Sequence, residues 1–145
     1  MGTLAGILEG KSNRVHSISP DQSVLEATQK MNQHRIGSLI VMQDDRIVGI
    51  LTERDILTRV VGEEKNPRRS TVSDVMTTAV IFCPPETSLD EASTIMKNHR
   101  IRHLPVCDAE GVLLGLVSIG DLNARHAGDQ EISIHYLHEY LYGRV

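Results

Sequence analysis

The chain has 145 residues, 40% of them hydrophobic, which is enough to bury one core of ordinary size. Its formal net charge is −4 and it has no long Lys/Arg run, which argues against nucleic-acid binding because a phosphate backbone requires a basic surface. No apolar stretch reaches membrane-spanning length, and the N-terminal apolar run is too short for a secretory signal, so we expect a cytoplasmic protein without membrane contact.

The N-terminal half of the chain begins with a short lead-in and continues as a unit of strands and helices. A β-type run at 15–19 is followed by a proline and by Ser23, which can cap the next segment. In 23–35 the apolar residues fall at helical spacing, which predicts an amphipathic helix. Two β-type runs on either side of a polar QDDR turn predict a hairpin over 38–52, and a predicted helix over 53–61 closes the unit.

A polar segment at 62–71, with a glycine and a proline, predicts a linker, and a short helical segment SDVM follows it. A second unit then repeats the order of the first, with a strand at 79–83, a capped helix at 88–100, a hairpin over 103–118 and a closing helix from residue 120. The order β-α-β-β-α therefore occurs twice. We expect an α/β (α+β) fold in which the two units pack through their sheets about a pseudo-twofold axis.

The two units are copies of each other. When the chain is shifted by about 65 residues against itself, HRIGSLIV at 34–41 falls on HRIRHLPV at 99–106. After one inserted residue, GILTERD at 49–55 falls on GLVSIGD at 115–121. The predicted division of the chain is a first repeat with its lead-in at 1–61, the linker at 62–71, a second repeat at 72–128 and a C-terminal amphipathic helix at 129–145.

The duplicated pattern resembles the cystathionine-β-synthase (CBS) domain, and the two units together resemble a CBS pair, or Bateman module. The resemblance rests on the HRIGSLIV/HRIRHLPV strands and on the closing motif of glycine, two apolar residues, Ser or Thr, two variable residues and Asp. It covers nearly the whole chain, and the lead-in and closing motifs look most like stand-alone bacterial CBS-pair proteins. The resemblance implies an adenosine ligand (AMP, ADP, ATP, NAD or S-adenosylmethionine), but the fold alone does not fix which one.

The resemblance also implies two ligand clefts, each built from the strands of one unit and the closing motif of the other. One cleft has a basic lining and would comprise Thr77, Val80, Ile101, Arg102 and His103 with Ile50, Thr52, Arg54 and Asp55. The other would comprise Ser12, Val15, Ile36, Gly37 and Ser38 with Leu116, Ser118 and Asp121.

The residue types of the closing motif suit a nucleotide independently of the resemblance. The carboxylate of Asp55 or Asp121 can accept two hydrogen bonds from the vicinal hydroxyls of a ribose. The hydroxyls of Thr52 and Ser118, three residues earlier, can meet ribose or phosphate oxygens near exposed N–H groups. The same spacing also forms an N-terminal cap of a helix, and capping and ligand contact can coexist. Four apolar residues would enclose the purine, although each alone suits an ordinary core position: Ile36, Ile50, Ile101 and Leu116.

The second copy replaces Gly37 and Ser38 by Arg102 and His103, which makes one predicted cleft cationic. Arg102, with Arg54, suits a bidentate contact with phosphate, and His103 adds a donor that depends on protonation. We therefore expect the tighter phosphate site there. In the other cleft, Gly37 and Ser38 offer room and neutral hydrogen bonding, which suits a weaker or nucleoside-like ligand. The alternative is that Arg102 and His103 form a solvated rim, paired with acidic residues such as Glu53.

Metal binding and catalysis have weaker support in the sequence. Cys83 and Cys107 lack metal-ligand spacing, so we expect two buried thiols, and we predict no metal site. His135 and His138 share a helix face without a third ligand. The His-Arg pairs at 34–35 and 99–100 fit the ends of helices, where cations are favoured. No Ser or Cys has the surroundings of an activated nucleophile, so we predict no catalytic residue and no enzyme.

The C-terminal segment contains all three tyrosines and an apolar stripe of Ile134, Leu137 and Leu141 beside Tyr140. It either packs on its own subunit or covers a neighbour, because CBS pairs commonly form disc-like dimers and aromatic residues are favoured at interfaces. We expect a homodimer. Measuring the mass in solution after deletion of the segment separates the two alternatives.

The sequence therefore predicts a non-enzymatic regulatory module that senses energy or redox state through an adenine nucleotide. Ligand binding would shift the packing of the repeats, and a regulated protein partner, which the sequence does not identify, would respond to that shift. An interaction module with vestigial nucleotide sites is the alternative, and an enzyme acting on nucleotides comes third.

Overall fold

The computed structural model describes residues 2–10 and 15–125, and these form two compact units. The first unit gathers residues 15–81 and 110–113, and the second gathers residues 2–10, 82–109 and 114–125. The segment that precedes the first repeat thus belongs to the unit of the second repeat. Conversely, the linker and the first residues of the second repeat belong to the first unit.

Six α-helices and five strands are described, and their order follows the predicted duplication except for the first strand of the second copy. The helices are α1 (Leu4–Glu9), α2 (Val24–His34), α3 (Glu53–Ile56), α4 (Val72–Val75), α5 (Leu89–His99) and α6 (Ile119–Arg125). The strands are β1 (Ser17–Ile18), β2 (Ser38–Gln43), β3 (Arg46–Thr52), β4 (His103–Cys107) and β5 (Leu113–Ser118). The mixed α+β fold confirms the predicted fold class. Across the described ranges, no helix is long and apolar enough to cross a membrane.

The first unit contains a three-stranded sheet in the order β1-β2-β3. β1 pairs with β2 in parallel, and β2 pairs with β3 antiparallel, with Ser38 opposite Thr52 and Gln43 opposite Arg46. The two-residue turn between β2 and β3 has positive φ at both Asp44 and Asp45, which matches the twist of an antiparallel hairpin. The predicted first hairpin is therefore confirmed.

The long helices α2 and α5 begin and end in the same way. Ser23 and Ser88 accept hydrogen bonds from the backbone N–H groups of Glu26 and Glu91, so both predicted serine caps are formed. In α2 the Glu26 carboxylate also accepts from Ser23, and these hydrogen bonds lower the pKa of Glu26. Both helices end at a left-handed arginine, Arg35 or Arg100, as expected for a C-terminal cap.

The core of the first unit lies between the sheet and the helices that pack on it. β2 contributes the alternate residues Leu39 and Val41 and β3 contributes Leu51, while α2 contributes one apolar face, as its periodicity predicts. The fully or almost fully buried residues of this core are Ile18, Val24, Ala27, Met31, Leu39, Val41, Leu51, Val60, Val72 and Val75.

The second unit combines the β4-β5 pair with α1, α5 and α6. The backbone N–H groups of Leu4 and Ala5 donate to the carbonyls of Thr87 and Pro85, and the guanidinium of Arg125 donates to the carbonyl of Gly6. Because Leu4, Ile7 and Leu8 are buried, the lead-in contributes to the core of this unit. The predicted C-terminal helix at 129–145 lies outside the described residues.

The strand predicted at 79–83 is not formed, and this part of the prediction is wrong. Only Cys83 pairs there, as an isolated parallel bridge to Val106. Two features of the chain explain the difference. The N–H of Val80 closes a tight turn on the carbonyl of Thr78, and Pro84 and Pro85 have no N–H with which a ladder could continue.

The helix predicted over 53–61 forms in two parts. It begins as α3 and continues as a π-helical turn at Leu57–Val61, so its hydrogen-bonding pattern changes after one turn.

Both cysteines are buried, and their side chains point to opposite faces, because Cys83 pairs with Val106 and neighbouring strand residues alternate. Burial raises the pKa of each thiol and so lowers the fraction of reactive thiolate. We expect both thiols to react slowly with Ellman's reagent at pH 8 in the native protein and rapidly in denaturant. Rapid reaction of either thiol in the native protein would contradict the described burial.

Candidate functional site

The candidate site in the first unit is built around Asp55, in the first turn of α3. Thr52 Oγ1 accepts a hydrogen bond from the backbone N–H of Asp55 at 3.1 Å, and Asp55 Oδ2 accepts one from the backbone N–H of Thr52 at 3.0 Å. These two bonds form the reciprocal capping box that the spacing predicts. The cap fixes the position of the carboxylate, which is 7% exposed.

A third residue of the predicted set, Thr77, joins this pair from a distant part of the sequence. Thr77 and Ile50 exchange two backbone hydrogen bonds of 2.9 Å, which attach the segment after α4 to β3. The hydroxyl of Thr77 then donates to Asp55, at 3.2 Å from Oδ1 and 3.4 Å from Oδ2. A carboxylate offers about four acceptor positions, more than Thr52 and Thr77 use. The arrangement can therefore accept hydroxyl groups of a ligand at the carboxylate.

Arg59 positions the segment that carries Thr77, and the sequence patterns did not single it out. Its Nη1 atom donates to the carbonyls of Val75 and Met76, at 3.0 and 3.1 Å, where α4 ends. These carbonyls have no partner within the helix at its C-terminal end, and a guanidinium is well suited to satisfy two of them. The only signal in the sequence was a positively charged residue in the predicted closing helix, and many surface positions have such a residue.

A second arrangement in the first unit joins Gly37 to Glu53 at the start of α3. The backbone N–H of Glu53 donates to the carbonyl of Gly37 at 2.9 Å. A methyl group added to Gly37 would lie 3.1 Å from Cδ of Glu53 and 3.2 and 3.4 Å from its carboxylate oxygens. The space beside Gly37 therefore faces a carboxylate and is not the neutral space that the glycine suggested. Ser38, which follows, is buried and lies opposite Thr52 in the sheet.

The second unit repeats the capping box and the backbone hydrogen bond at the start of the closing helix. The backbone N–H of Asp121 donates to Ser118 Oγ at 3.1 Å, and Asp121 Oδ2 accepts from the N–H of Ser118 at 2.8 Å. The backbone N–H of Ile119 donates to the carbonyl of Arg102 at 3.0 Å, in the way that Glu53 donates to Gly37. Duplication thus preserved the backbone geometry and changed the side chains.

The residues of each predicted cleft are divided between the two units. Of the set with a basic lining, the first unit contains Ile50, Thr52, Arg54, Asp55, Thr77 and Val80, and the second contains Ile101, Arg102 and His103. Of the other set, the first unit contains Val15, Ile36, Gly37 and Ser38, and the second contains Leu116, Ser118 and Asp121. Ser12 lies outside the described residues.

Histidines in the described part of the chain do not gather with other metal ligands. The rings of His16 and His34 stack with their centroids 3.9 Å apart. Within residues 2–10 and 15–125, no three side chains of His, Cys, Asp or Glu are grouped so that they could hold a metal ion. His135 and His138 lie beyond this part of the chain.

The duplicated capping boxes on two α+β units define a tandem-repeat protein of the kind that the sequence resembles. The CBS domain model matches residues 11–62 and 72–127. The chain therefore belongs to the CBS domain family and contains two of its repeats.

Relatives of similar length support the assignment. The chain is 34% identical over 119 residues to the CBS domain-containing protein YhcV of Bacillus subtilis, a match that covers 82% of this chain and 84% of YhcV. A CBS-domain protein of Burkholderia ambifaria is 39% identical, with a TM-score of 0.82, and the match covers 88% of this chain and 96% of that protein. Inosine-5′-monophosphate dehydrogenases also match, but over only 21% of their length.

Two solved structures with this fold contain bound adenosine compounds. The CBS domain protein PAE2072 of Pyrobaculum aerophilum, complexed with AMP, is 22% identical, with a TM-score of 0.73, and the match covers 82% of this chain and 88% of that protein. The CBS pair of protein MJ0100, in complex with methylthioadenosine and S-adenosylmethionine, is 24% identical with a TM-score of 0.75, over 87% of this chain and 96% of that one. At sequence identities of 22% and 24%, the similarity to these two proteins shows a shared fold and nothing about the ligand of this chain.

Proposed function

We propose that the protein is a non-enzymatic regulatory module that binds an adenosine ligand, with AMP as the first candidate. The observation that carries this proposal is the buried Asp55 carboxylate, fixed by Thr52 and Thr77 at the end of β3. The AMP complex of a protein with the same fold supports the choice of ligand. Similarity to the CBS domain-containing protein YhcV over 84% of its length supports a regulatory role without turnover.

Each residue of the Asp55 set has a proposed task. Asp55 accepts hydrogen bonds from the ribose hydroxyls. The backbone N–H of Thr52 and the hydroxyl of Thr77 hold that carboxylate, and the two threonine hydroxyls contact the sugar or phosphate. Ile50 gives the base an apolar contact. As the resemblance to CBS pairs implies, Arg102 and His103 would contribute positive charge for the phosphate.

Replacing Arg102 by Ala is expected to weaken the affinity for AMP about tenfold and to change the affinity for adenosine less than twofold. A guanidinium forms hydrogen bonds with a phosphate, which adenosine lacks. Calorimetric titration with both ligands measures the difference. Lys97→Ala, which removes an exposed cation from α5 in the same unit, is the matched control and should leave both affinities unchanged. Equal losses for AMP and adenosine in Arg102→Ala would refute the phosphate role.

The proposed mechanism is regulation by linkage. Ligand held by the fixed Asp55 set favours one arrangement of the chain, and a protein partner that prefers this arrangement then binds according to the nucleotide level. We further propose that the module acts as a homodimer, as the resemblance to CBS pairs implies. No chemical step is required of any residue in this mechanism.

A ligand-independent interaction module is the second candidate, and one observation favours it. Thr52 and Thr77 already donate hydrogen bonds to the buried Asp55 carboxylate. The three residues can therefore have a purely structural role.

Hydrogen exchange of backbone amides with and without AMP distinguishes the two candidates. A sensor is expected to show slower exchange on AMP binding at the first turn of α3 and at Thr77, where the ligand would be held. Unchanged exchange at saturating AMP, ATP, NAD and S-adenosylmethionine would contradict the sensor and favour the interaction module.

A further inference from the structure

The helix that closes the first unit has apolar residues on two of its sides. On the inner side, Val60 is buried in the core and Ile56 packs against that core. Leu57 and Val61, each one residue further along the chain, are 62% and 63% exposed. A surface helix normally presents polar residues to the solvent. Leu57 and Val61 therefore form an outward-facing apolar pair that the core of this unit does not use.

The duplication shows that the fold does not require this apolar pair. The match of residues 49–55 with residues 115–121 places Leu57 on Asn123 and Val61 on Ala127. The second copy thus forms its closing helix, α6, without a large apolar side chain at either position. The apolar pair belongs to the first unit alone, and its exposure calls for a reason outside the folding of that unit.

Opposite charges lie at the two ends of the apolar pair. Arg54 precedes Leu57 by three residues, Glu64 follows Val61 by three residues, and both charged residues are exposed. The carboxylate of the neighbouring Glu53 is turned toward Gly37 and so does not oppose the charge of Arg54 at that end. The segment from Arg54 to Glu64 is therefore positive at its beginning, apolar in its centre and negative at its end.

Such a segment is complementary to an inverted copy of itself. When two copies lie antiparallel about a twofold axis, Leu57 of each faces Val61 of the other, and Arg54 of each faces Glu64 of the other. A parallel arrangement would instead place Arg54 against Arg54 and Glu64 against Glu64, and like charges that face each other disfavour association. An apolar centre with a charged rim is also the usual anatomy of a protein–protein interface.

We propose that the segment from Arg54 to Glu64 is the centre of an isologous, antiparallel contact between two copies of this chain. Leu57 and Val61 are buried in this contact, and two symmetric pairs of Arg54 with Glu64 fix its direction. This inference rests on the homodimer of the proposed function and names the surface through which that dimer forms. It requires no ligand.

Sedimentation velocity over a range of protein concentrations measures the association. The wild type is expected to be a dimer, and Leu57→Glu is expected to weaken self-association about 100-fold, because it places a charge in the apolar centre of both copies. Since Leu57 is mostly exposed in the single chain, the circular dichroism of the variant should match the wild type. Val112→Glu, which alters an apolar residue of the same unit that is 48% exposed, is the matched control and should remain dimeric.

Cross-linking tests the direction of the contact. Arg54→Cys and Glu64→Cys proteins are mixed and treated with a short bismaleimide, with the wild type as the background for the buried Cys83 and Cys107. The antiparallel contact is expected to give cross-links between the two unlike variants. Either variant alone should give few, because identical positions lie at opposite ends of the contact.

Three results would overturn the inference: a monomeric wild type, a Leu57→Glu variant that associates like the wild type, or cross-linking of each variant with itself and not with the other. If Leu57→Glu does not fold, Val61→Glu and the cross-linking decide in its place. AMP titration of the wild type keeps this inference separate from nucleotide sensing. A monomer that binds AMP would overturn the contact alone, whereas a dimer with the expected cross-links that binds no adenosine ligand would support the contact and contradict the sensor.

Discussion

Replacing Asp55 by Asn is expected to weaken AMP binding by about 10- to 100-fold. A hydrogen bond to a charged acceptor contributes about 1.5–3 kcal/mol, and Asn keeps the size of the side chain while removing the charge. The amide oxygen can still accept the N–H of Thr52, so most of the helix cap should survive. Calorimetric titration of the wild type and the variant with AMP measures the loss.

A matched variant separates this effect from a general change of charge. Asp45→Asn alters an exposed aspartate at the tip of the hairpin, where φ is positive and Asn is well tolerated. It should leave AMP affinity and the free energy of unfolding unchanged. If Asp55→Asn binds AMP as tightly as the wild type, the carboxylate is a structural clasp and not a ligand contact.

Replacing Gly49 by Ala is expected to reduce both stability and AMP affinity. The added methyl group would lie 2.5 Å from Met76 Sδ and 3.0 Å from the carbonyl oxygen of Thr77, distances that force the segment after α4 to move. Overpacking of this kind typically costs about 1–3 kcal/mol. Because Thr77 hydrogen-bonds to Asp55, the same movement disturbs the proposed site. Denaturant unfolding and AMP titration of the variant measure the two effects.

The duplication supplies the control for this variant. Gly115 is the copy of Gly49, and a methyl group there would lie 2.5 Å from Cδ2 of Leu8, the far end of a flexible side chain. Gly115→Ala is therefore expected to cost less stability than Gly49→Ala and to change AMP affinity less than threefold. Equal losses of AMP affinity in both variants would show that the loss does not arise from movement of the Thr77 segment.

Much of the fold was predictable because local rules and the repeat agree. Ser23 and Ser88 cap helices for the reason that hydroxyl residues favour that position, and the Asp44-Asp45 turn supplies the positive φ that a tight hairpin needs. The strand predicted at 79–83 failed because its β-type composition was outweighed by Pro84 and Pro85, which cannot extend a ladder.

The candidate site was predictable only in part. The box of Thr52 and Asp55 is a local pattern, and the structure forms it as predicted. The donation from Arg59 to the end of α4 and the position of the Glu53 carboxylate beside Gly37 depend on tertiary structure. No sequence period encodes such contacts, and the glycine alone suggested open, neutral space.

Calorimetric titration of nucleotide-stripped protein with AMP, ATP, NAD and S-adenosylmethionine decides whether the protein is an adenosine-ligand sensor. At least one of these ligands is expected to bind with a Kd in the micromolar range, a binding free energy of about −8 kcal/mol, and Asp55→Ala is expected to abolish the heat of binding. If none of the four ligands binds to the folded, stripped protein, the claim of an adenosine-ligand sensor is contradicted.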